Sequence, residues 1–293
     1  MSQRPIQRAN RGPNTHRVGR VIAGSFLVAL AVMVTQTAGE WPTVAQDRSL
    51  PFAVASDTLF AWGDNSRGQL GNETTLDSST PASVSLPPGI TVTAVAAGAF
   101  HSLASTSTGT VLAWGFNGAG QLGDGTTTDR STPVAVNLPI GIMATGVTAG
   151  AAHSLAITST GRVLAWGNNS QGQLGDATTI DRSTPVAVNL PIGITATGVT
   201  AGAAHSLAVT STGRVLAWGN NSNGQLGDGT TTDRLSPVAV GLPAGATVTA
   251  GGLHSLVIIS TDSTALAWGD NSNGQLGDGT TIGRSVPVVV DLP

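Results

Sequence analysis

From about residue 50 onward, apolar and polar positions alternate with a period of two, the pattern of strands rather than helices. His153, Leu155 and Ile157 fall on one face of such a stretch, with Ser154, Ala156 and Thr158 on the other. Arg162, Leu164 and Trp166 alternate with Val163, Ala165 and Gly167, and Val186, Val188 and Leu190 with Pro185, Ala187 and Asn189. A fourth stretch, Thr145 to Gly150, is built of small and β-branched residues. Gly and Ala in a strand leave room for another backbone, which suits the crowded inner edge of a radial sheet. Ser159-Thr160-Gly161 is a hairpin turn, and the glycines of Gly172-Gln173-Leu174-Gly175 can supply positive φ in a longer loop. The unit predicted is a four-stranded antiparallel sheet, and no helical pattern follows residue 45.

That unit recurs. Trp-Gly pairs stand at Trp62, Trp114, Trp166, Trp218 and Trp268, spaced 52, 52, 52 and 50 residues apart. Each is followed by a Gly-Gln-Leu-Gly turn, beginning at Gly68, Gly120, Gly172, Gly224 and Gly274. His-Ser-Leu precedes four of them, at His101, His153, His205 and His254. Arg130–Asp181 and Arg182–Asp233 share 47 of 52 residues, the mark of a recent duplication.

The series His-Ser-Leu, Leu-Ala-Trp-Gly-x-Asn-x-x-Gly-Gln-Leu-Gly and Pro-Val-x-Val closely resembles the repeat of the regulator of chromosome condensation family, over about Leu50 to Pro293. The resemblance implies an all-β fold, a β-propeller, and a use as a protein-binding platform. Family members usually have seven blades; they include nuclear exchange factors and chromatin readers, a plant photoreceptor and an exported bacterial inhibitor of β-lactamase. This chain has five units, and its first, leading into Trp62, lacks the His-Ser-Leu and the small-residue strand. The expected architecture is therefore about five four-stranded blades. If each blade starts with the Pro-Val-x-Val strand, four complete blades run from Ser79 to Asp270. The strands left over at the two ends then pair into a fifth blade that closes the ring; the alternative is an open arc of a larger propeller.

Charge changes the picture at the N-terminus. Arg4, Arg8, Arg11, Arg17 and Arg20 come before any acid, and an uncharged apolar run, Val21 to Val34, follows at once. Its 14 residues are short for a membrane span and fit a signal-peptide core. Small-x-small cleavage points end at Gly39 and at Ala45. The expected organisation is a signal peptide and short linker over residues 1–45, or an uncleaved signal anchor, followed by the propeller over 46–293. Beyond Ala45 the chain keeps 8 arginines against 15 acids, a charge of −7, which removes a basic surface for nucleic acid. The expected localisation is secreted or extracytoplasmic, with cell-surface display through the anchor as the one membrane attachment.

Chemistry in the sequence is mostly negative. With no Cys, thiol nucleophiles and Cys-ligated metals are excluded, and the chain also has no Tyr and no Lys. His101, His153, His205 and His254 repeat at one strand position, as do the five Trp-Gly tryptophans Trp62, Trp114, Trp166, Trp218 and Trp268. Repetition at a fixed place is what packing and hydrogen bonding predict, so both sets are assigned structural roles, with no catalytic residue and no metal site. Asp124, Asp176, Asp228 and Asp278 follow four of the five turns and are assigned as turn caps. Asp270 to Gly274 departs from a calcium loop in its glycine position and has no closing Glu, and no Gly-rich segment carries the Lys of a phosphate loop. No cofactor is expected. The units differ just after Trp-Gly, where Arg67, Phe116, Gln171, Asn223 and Asn273 are the candidate binding residues. The function expected is a non-catalytic scaffold that binds a protein or glycan through rim loops. The alternatives are a lyase or hydrolase with a site on the rim, and an adhesive surface repeat.

Overall fold

The computed structural model describes residues 52–55, 58–260 and 263–292, the first of these segments by its backbone. The arginine-rich flank, the apolar run and His16 lie outside the described residues. Nineteen strands and no helix are found among the described residues. They form one three-stranded and four four-stranded sheets, all paired antiparallel between sequence neighbours.

The first sheet is β1 (Phe52–Ala55), β2 (Thr58–Gly63) and β3 (Ser78–Ser83). The second is β4 (Val92–Ala97), β5 (His101–Thr106), β6 (Val111–Gly115) and β7 (Arg130–Ala135). The third is β8 (Ala144–Ala149), β9 (His153–Thr158), β10 (Val163–Gly167) and β11 (Arg182–Ala187). The fourth is β12 (Ala196–Ala201), β13 (His205–Thr210), β14 (Val215–Gly219) and β15 (Arg234–Ala239). The fifth is β16 (Ala246–Ala250), β17 (His254–Ile259), β18 (Ala265–Gly269) and β19 (Arg284–Val289). These are the five blades of an all-β propeller.

The small-residue strands β4, β8, β12 and β16 pack on one another in succession and form the inner edge. Gly150 shows why side chains are excluded there: a Cβ on it would run into the His153 ring and lie 2.5 Å from the Gly202 carbonyl oxygen of the next blade. The Trp-Gly strands β6, β10 and β14 are buried on both faces. Apolar cores therefore lie between blades rather than within them. Leu103, Val111, Ala113 and Leu122 of the second blade pack against Ala156, Leu164 and Trp166 of the third, and the same joint recurs three more times.

The blade boundary differs from the sequence expectation. The Pro-Val-x-Val strand is the outer strand of its own repeat, paired with the Trp-Gly strand before it: Leu164 faces Ala187, Ala165 faces Val186, and Gly167 faces Arg182 after a bulge. The residues between those strands fold back on themselves and close a hairpin instead of crossing to the next blade. As a consequence β19 pairs with β18 and β1 with β2, so the chain ends do not share a sheet. Among the described residues the blades pack in series from the first to the fifth, and a Cβ on Gly277, the last turn glycine of the fifth, would meet no side chain of another blade within 4 Å. The described residues form an arc.

Candidate functional site

Each Trp-Gly pair is followed by a loop pinned by one buried asparagine. In the third blade the Asn169 side-chain oxygen accepts from Leu174 N at 3.0 Å, while its amide donates to Asp176 Oδ1 at 3.0 Å and to the Thr178 carbonyl at 3.0 Å. Its backbone N–H donates to Asp181 Oδ1 at 2.7 Å. Asp176 also accepts from the Thr178 hydroxyl at 2.7 Å, and Arg182 Nε and Nη2 hold its other oxygen at 2.9 and 2.7 Å. Burial pushes the Asp176 carboxyl up, but the hydrogen bonds from Thr178, Arg182 and Asn169 outweigh it and leave the group below the usual carboxylate range. Asn65, Asn117, Asn221 and Asn271 occupy the same buried position. Asn72 replaces the acid in the first blade, and Gly283 stands at the Asp181 position in the fifth. A loop held at this many points stays fixed without regular structure, so it presents its outward residues at defined places.

Those outward residues include all five candidate binding positions, on one end of the blades. They form pairs across blade boundaries. The Arg67 guanidinium of the first blade lies 5.0 Å from the centre of the Phe116 ring in the second and 3.6 Å from the Asp129 carboxylate. Gln171 Oε1 accepts from Asn220 Nδ2 of the next blade at 3.2 Å. Asn223 and Asp270 line a shallow polar pocket with Ser222, Ser272, Thr231 and Ser285. Asn273 is exposed and bonds within its own loop, its N–H donating to Gln275 Oε1 at 2.8 Å. The structure thus brings Arg67 to Phe116 and spreads the other three along the rim.

Two members of the rim were not singled out by sequence reasoning. Asp129 reads as a turn cap, and it does accept from Asn117 N at 2.8 Å, yet its second oxygen faces Arg67. Phe100 is 38% exposed, and its carbonyl accepts from Phe116 N at 2.7 Å. The available signal was that Ala152 and Ala204 stand at this position in the third and fourth units.

The repeated histidines and tryptophans lie inside the joints between blades. Trp114, Trp166, Trp218 and Trp268 are fully buried, and each Nε1 donates to the carbonyl of the glutamine in the preceding blade's Gly-Gln-Leu-Gly turn at 2.8–2.9 Å. Trp62 is half-buried. His101 Nε2 bonds Ser154 Oγ at 2.9 Å, His153 bonds Ser206 at 3.0 Å and His205 bonds Ser255 at 2.9 Å, each crossing to the following blade. Burial lowers His101 to about 4; burial and the neighbouring histidines lower His153 to about 3, as burial and His254 do for His205. These rings are neutral, and their Nδ1 atoms are buried without a partner among the described residues.

The family model for the RCC1-like domain matches residues 28–293. The chain belongs to that family. It is 35% identical over 209 residues to the ultraviolet-B receptor UVR8 of Arabidopsis thaliana, covering 70% of this chain and 48% of the receptor. To the probable E3 ubiquitin-protein ligase HERC6 of Homo sapiens it is 35% identical over 213 residues, 69% of this chain and 20% of the ligase. The chain thus spans about half the length of the first and a fifth of the second. Among solved structures, Prp20p of Saccharomyces cerevisiae aligns with a TM-score of 0.73 and 21% identity, over 84% of this chain and 62% of that one. At that identity the likeness carries the propeller fold alone.

Proposed function

We propose that this protein is an exported, non-catalytic scaffold that captures a protein partner on its loop rim, centred on Arg67, Phe116, Phe100 and Asp129. The observation that carries this reading is the contrast within the rim. Its framework of Asn, Asp, Thr and Arg is repeated from blade to blade, whereas the outward positions vary and bring an arginine onto an aromatic ring across one blade boundary. Aromatic and Arg side chains held on a rigid support are the residues enriched at protein-binding hot spots. The structure of Prp20p is described with its binding to Gsp1p and histones, so a propeller of this fold serves protein partners elsewhere. The repeated Asp and Arg side chains of the rim loops are engaged in loop closure, which supports binding over catalysis.

The test is retention of a partner from the extracellular fraction. Arg67→Ala combined with Phe116→Ala is expected to weaken retention at least about tenfold with an unchanged melting temperature. Ile140→Ala, at the fully exposed loop on the opposite end of the blades, should leave retention intact. Equal retention by all three proteins would overturn the reading.

Export rests on the arginine-rich flank and the apolar run. N-terminal sequencing of the extracellular form is expected to begin at Glu40 or Gln46. An intact N-terminus in a soluble cytoplasmic protein would refute it.

A further inference from the structure

The blades have two ends, and charge is sorted between them. All six acids of the second to fourth blades, Asp124, Asp129, Asp176, Asp181, Asp228 and Asp233, lie in the rim loops. Arg130, Arg182 and Arg234 are paired there with Asp124, Asp176 and Asp228. The other two arginines of these blades, Arg162 and Arg214, stand at the opposite end, in the hairpin turns before β10 and β14. Both are exposed, and neither makes an ion pair among the described residues. The matching turns of the first and fifth blades carry Asp57 and Asp262, outside the described residues, so the cationic stretch belongs to the third and fourth blades.

At that same end each blade passes to the next through a turn with an apolar tip. The second and third blades are left through Leu138-Pro139-Ile140-Gly141-Ile142 and Leu190-Pro191-Ile192-Gly193-Ile194. The flanking Leu and Ile pack on the cores between blades. Ile142 N donates to the Pro139 carbonyl at 3.1 Å and Ile194 N to the Pro191 carbonyl at 3.0 Å, with Gly141 and Gly193 at φ +77° and +76°, so each tip is a fixed turn. Ile140 and Ile192 at the tips are fully exposed. A Cβ on Gly141 or Gly193 would meet nothing within 4 Å, which shows that the tips stand clear of the body. Where the units differ, the tip residue becomes Pro88 or Ala244 and is charged in none. Backbone bonds interleave the tips with the arginine turns. Ser159 N donates to the Met143 carbonyl and Ala196 N to the Gly161 carbonyl, which sets the Arg162 turn between the two isoleucine tips; Ser211 N donates to the Thr195 carbonyl, which sets the Arg214 turn beyond the second.

We propose that this end of the propeller docks on a lipid bilayer bearing anionic headgroups, with Ile140 and Ile192 entering the acyl boundary and Arg162 and Arg214 meeting the headgroup phosphates. Apolar side chains interleaved with cations, without an acid, are the combination that an anionic interface rewards. A projecting isoleucine with nothing beneath it needs a ready-made pocket on a protein partner, one for each tip, whereas a fluid phase receives it without one. Docked in this way, the molecule turns its rim acids away from the anionic surface and presents Arg67 and Phe116 outward.

The chain has no cysteine, so Ile140→Cys carries a single environment-sensitive fluorophore. On vesicles of phosphatidylcholine with phosphatidylserine its emission should rise and shift to the blue, while the same probe at Asn273→Cys on the rim should not change. The signal is local, so it does not depend on what else in the chain meets the vesicle. With the probe at position 140, Ile192→Ser should raise the lipid concentration at half-signal about tenfold. Arg162→Gln combined with Arg214→Gln should raise it about as much and flatten its dependence on salt. All four side chains are exposed, so the melting temperature should stay unchanged. A probe at position 140 that does not respond to these vesicles would overturn the proposal. So would an equal response at position 273, a half-signal that neither set of exchanges moves, or a response that needs a protein from the extracellular fraction in place of lipid.

Discussion

Trp166→Ala is expected to lower unfolding stability by about 3–5 kcal/mol. The indole is fully buried in the joint between the second and third blades, and its Nε1 donates to the Gln121 carbonyl at 2.9 Å. Removing it empties the largest side-chain volume in that joint and leaves a buried carbonyl with Ser154 Oγ as its remaining side-chain donor. Gly175→Val acts on the next joint by a different route. Gly175 has φ +66°, which a β-branched residue strains to adopt, and a Cβ there would sit 2.8 Å from Trp218 Nε1. Both exchanges should lower the urea midpoint strongly. Trp62→Ala is the internal control: the same residue at the same repeat position, only half-buried, should cost much less. Equal losses at Trp62 and Trp166 would mean that seating in the neighbouring turn does not set the stability.

How far the sequence foretold this follows from which interactions are local. The period of two, the turn glycines and the recurrence of Trp-Gly are read directly, and they gave the strands and the blade repeat. The blade boundary was misplaced because residues 64–77, between Trp-Gly and Pro-Val-x-Val, form a connection longer than most hairpin loops. Its closure depends on Asn65 reaching Asn72 and Thr74, side-chain bonds that no hydropathy pattern displays. The strand Val186 to Leu190 was set late by the same effect: β11 starts at Arg182, whose side chain holds Asp176. On the rim, Arg67 and Phe116 stand out in the sequence because they break the repeat. That they touch was not legible, since the contact crosses between repeats, as do those of the histidines and tryptophans. Asp129 was hidden by a capping role that it shares with Asp77, Asp181 and Asp233, and Phe100 by a backbone bond that Ala152 and Ala204 also make.

Stability should be flat above neutral pH and fall steeply as the pH drops below about 6.5. His101, His153 and His205 have an ordinary value of 6.5 and are lowered to about 4, 3 and 3 by burial in the joints. Between those values the unfolded chain binds protons that the folded chain refuses, so unfolding stability rises with pH across that window and is complete above it. At pH 5 each ring withdraws about 2 kcal/mol, roughly 6 for the three, which is comparable with the whole stability of an ordinary domain. The loop carboxylates Asp124, Asp176 and Asp228 are held below their usual range, so their contribution is lost only at lower pH, after the histidine step. Urea titrations between pH 8 and pH 5 are therefore expected to show an uptake of about three protons on unfolding near pH 5. His153→Gln removes one ring from the 6.5-to-3 window and should reduce that uptake by about one, even though it lowers stability at pH 8 by breaking the bond to Ser206. A pH-independent midpoint down to pH 5 would show that these rings accept protons in the folded state, and the neutral His–Ser bridge between blades would have to be abandoned.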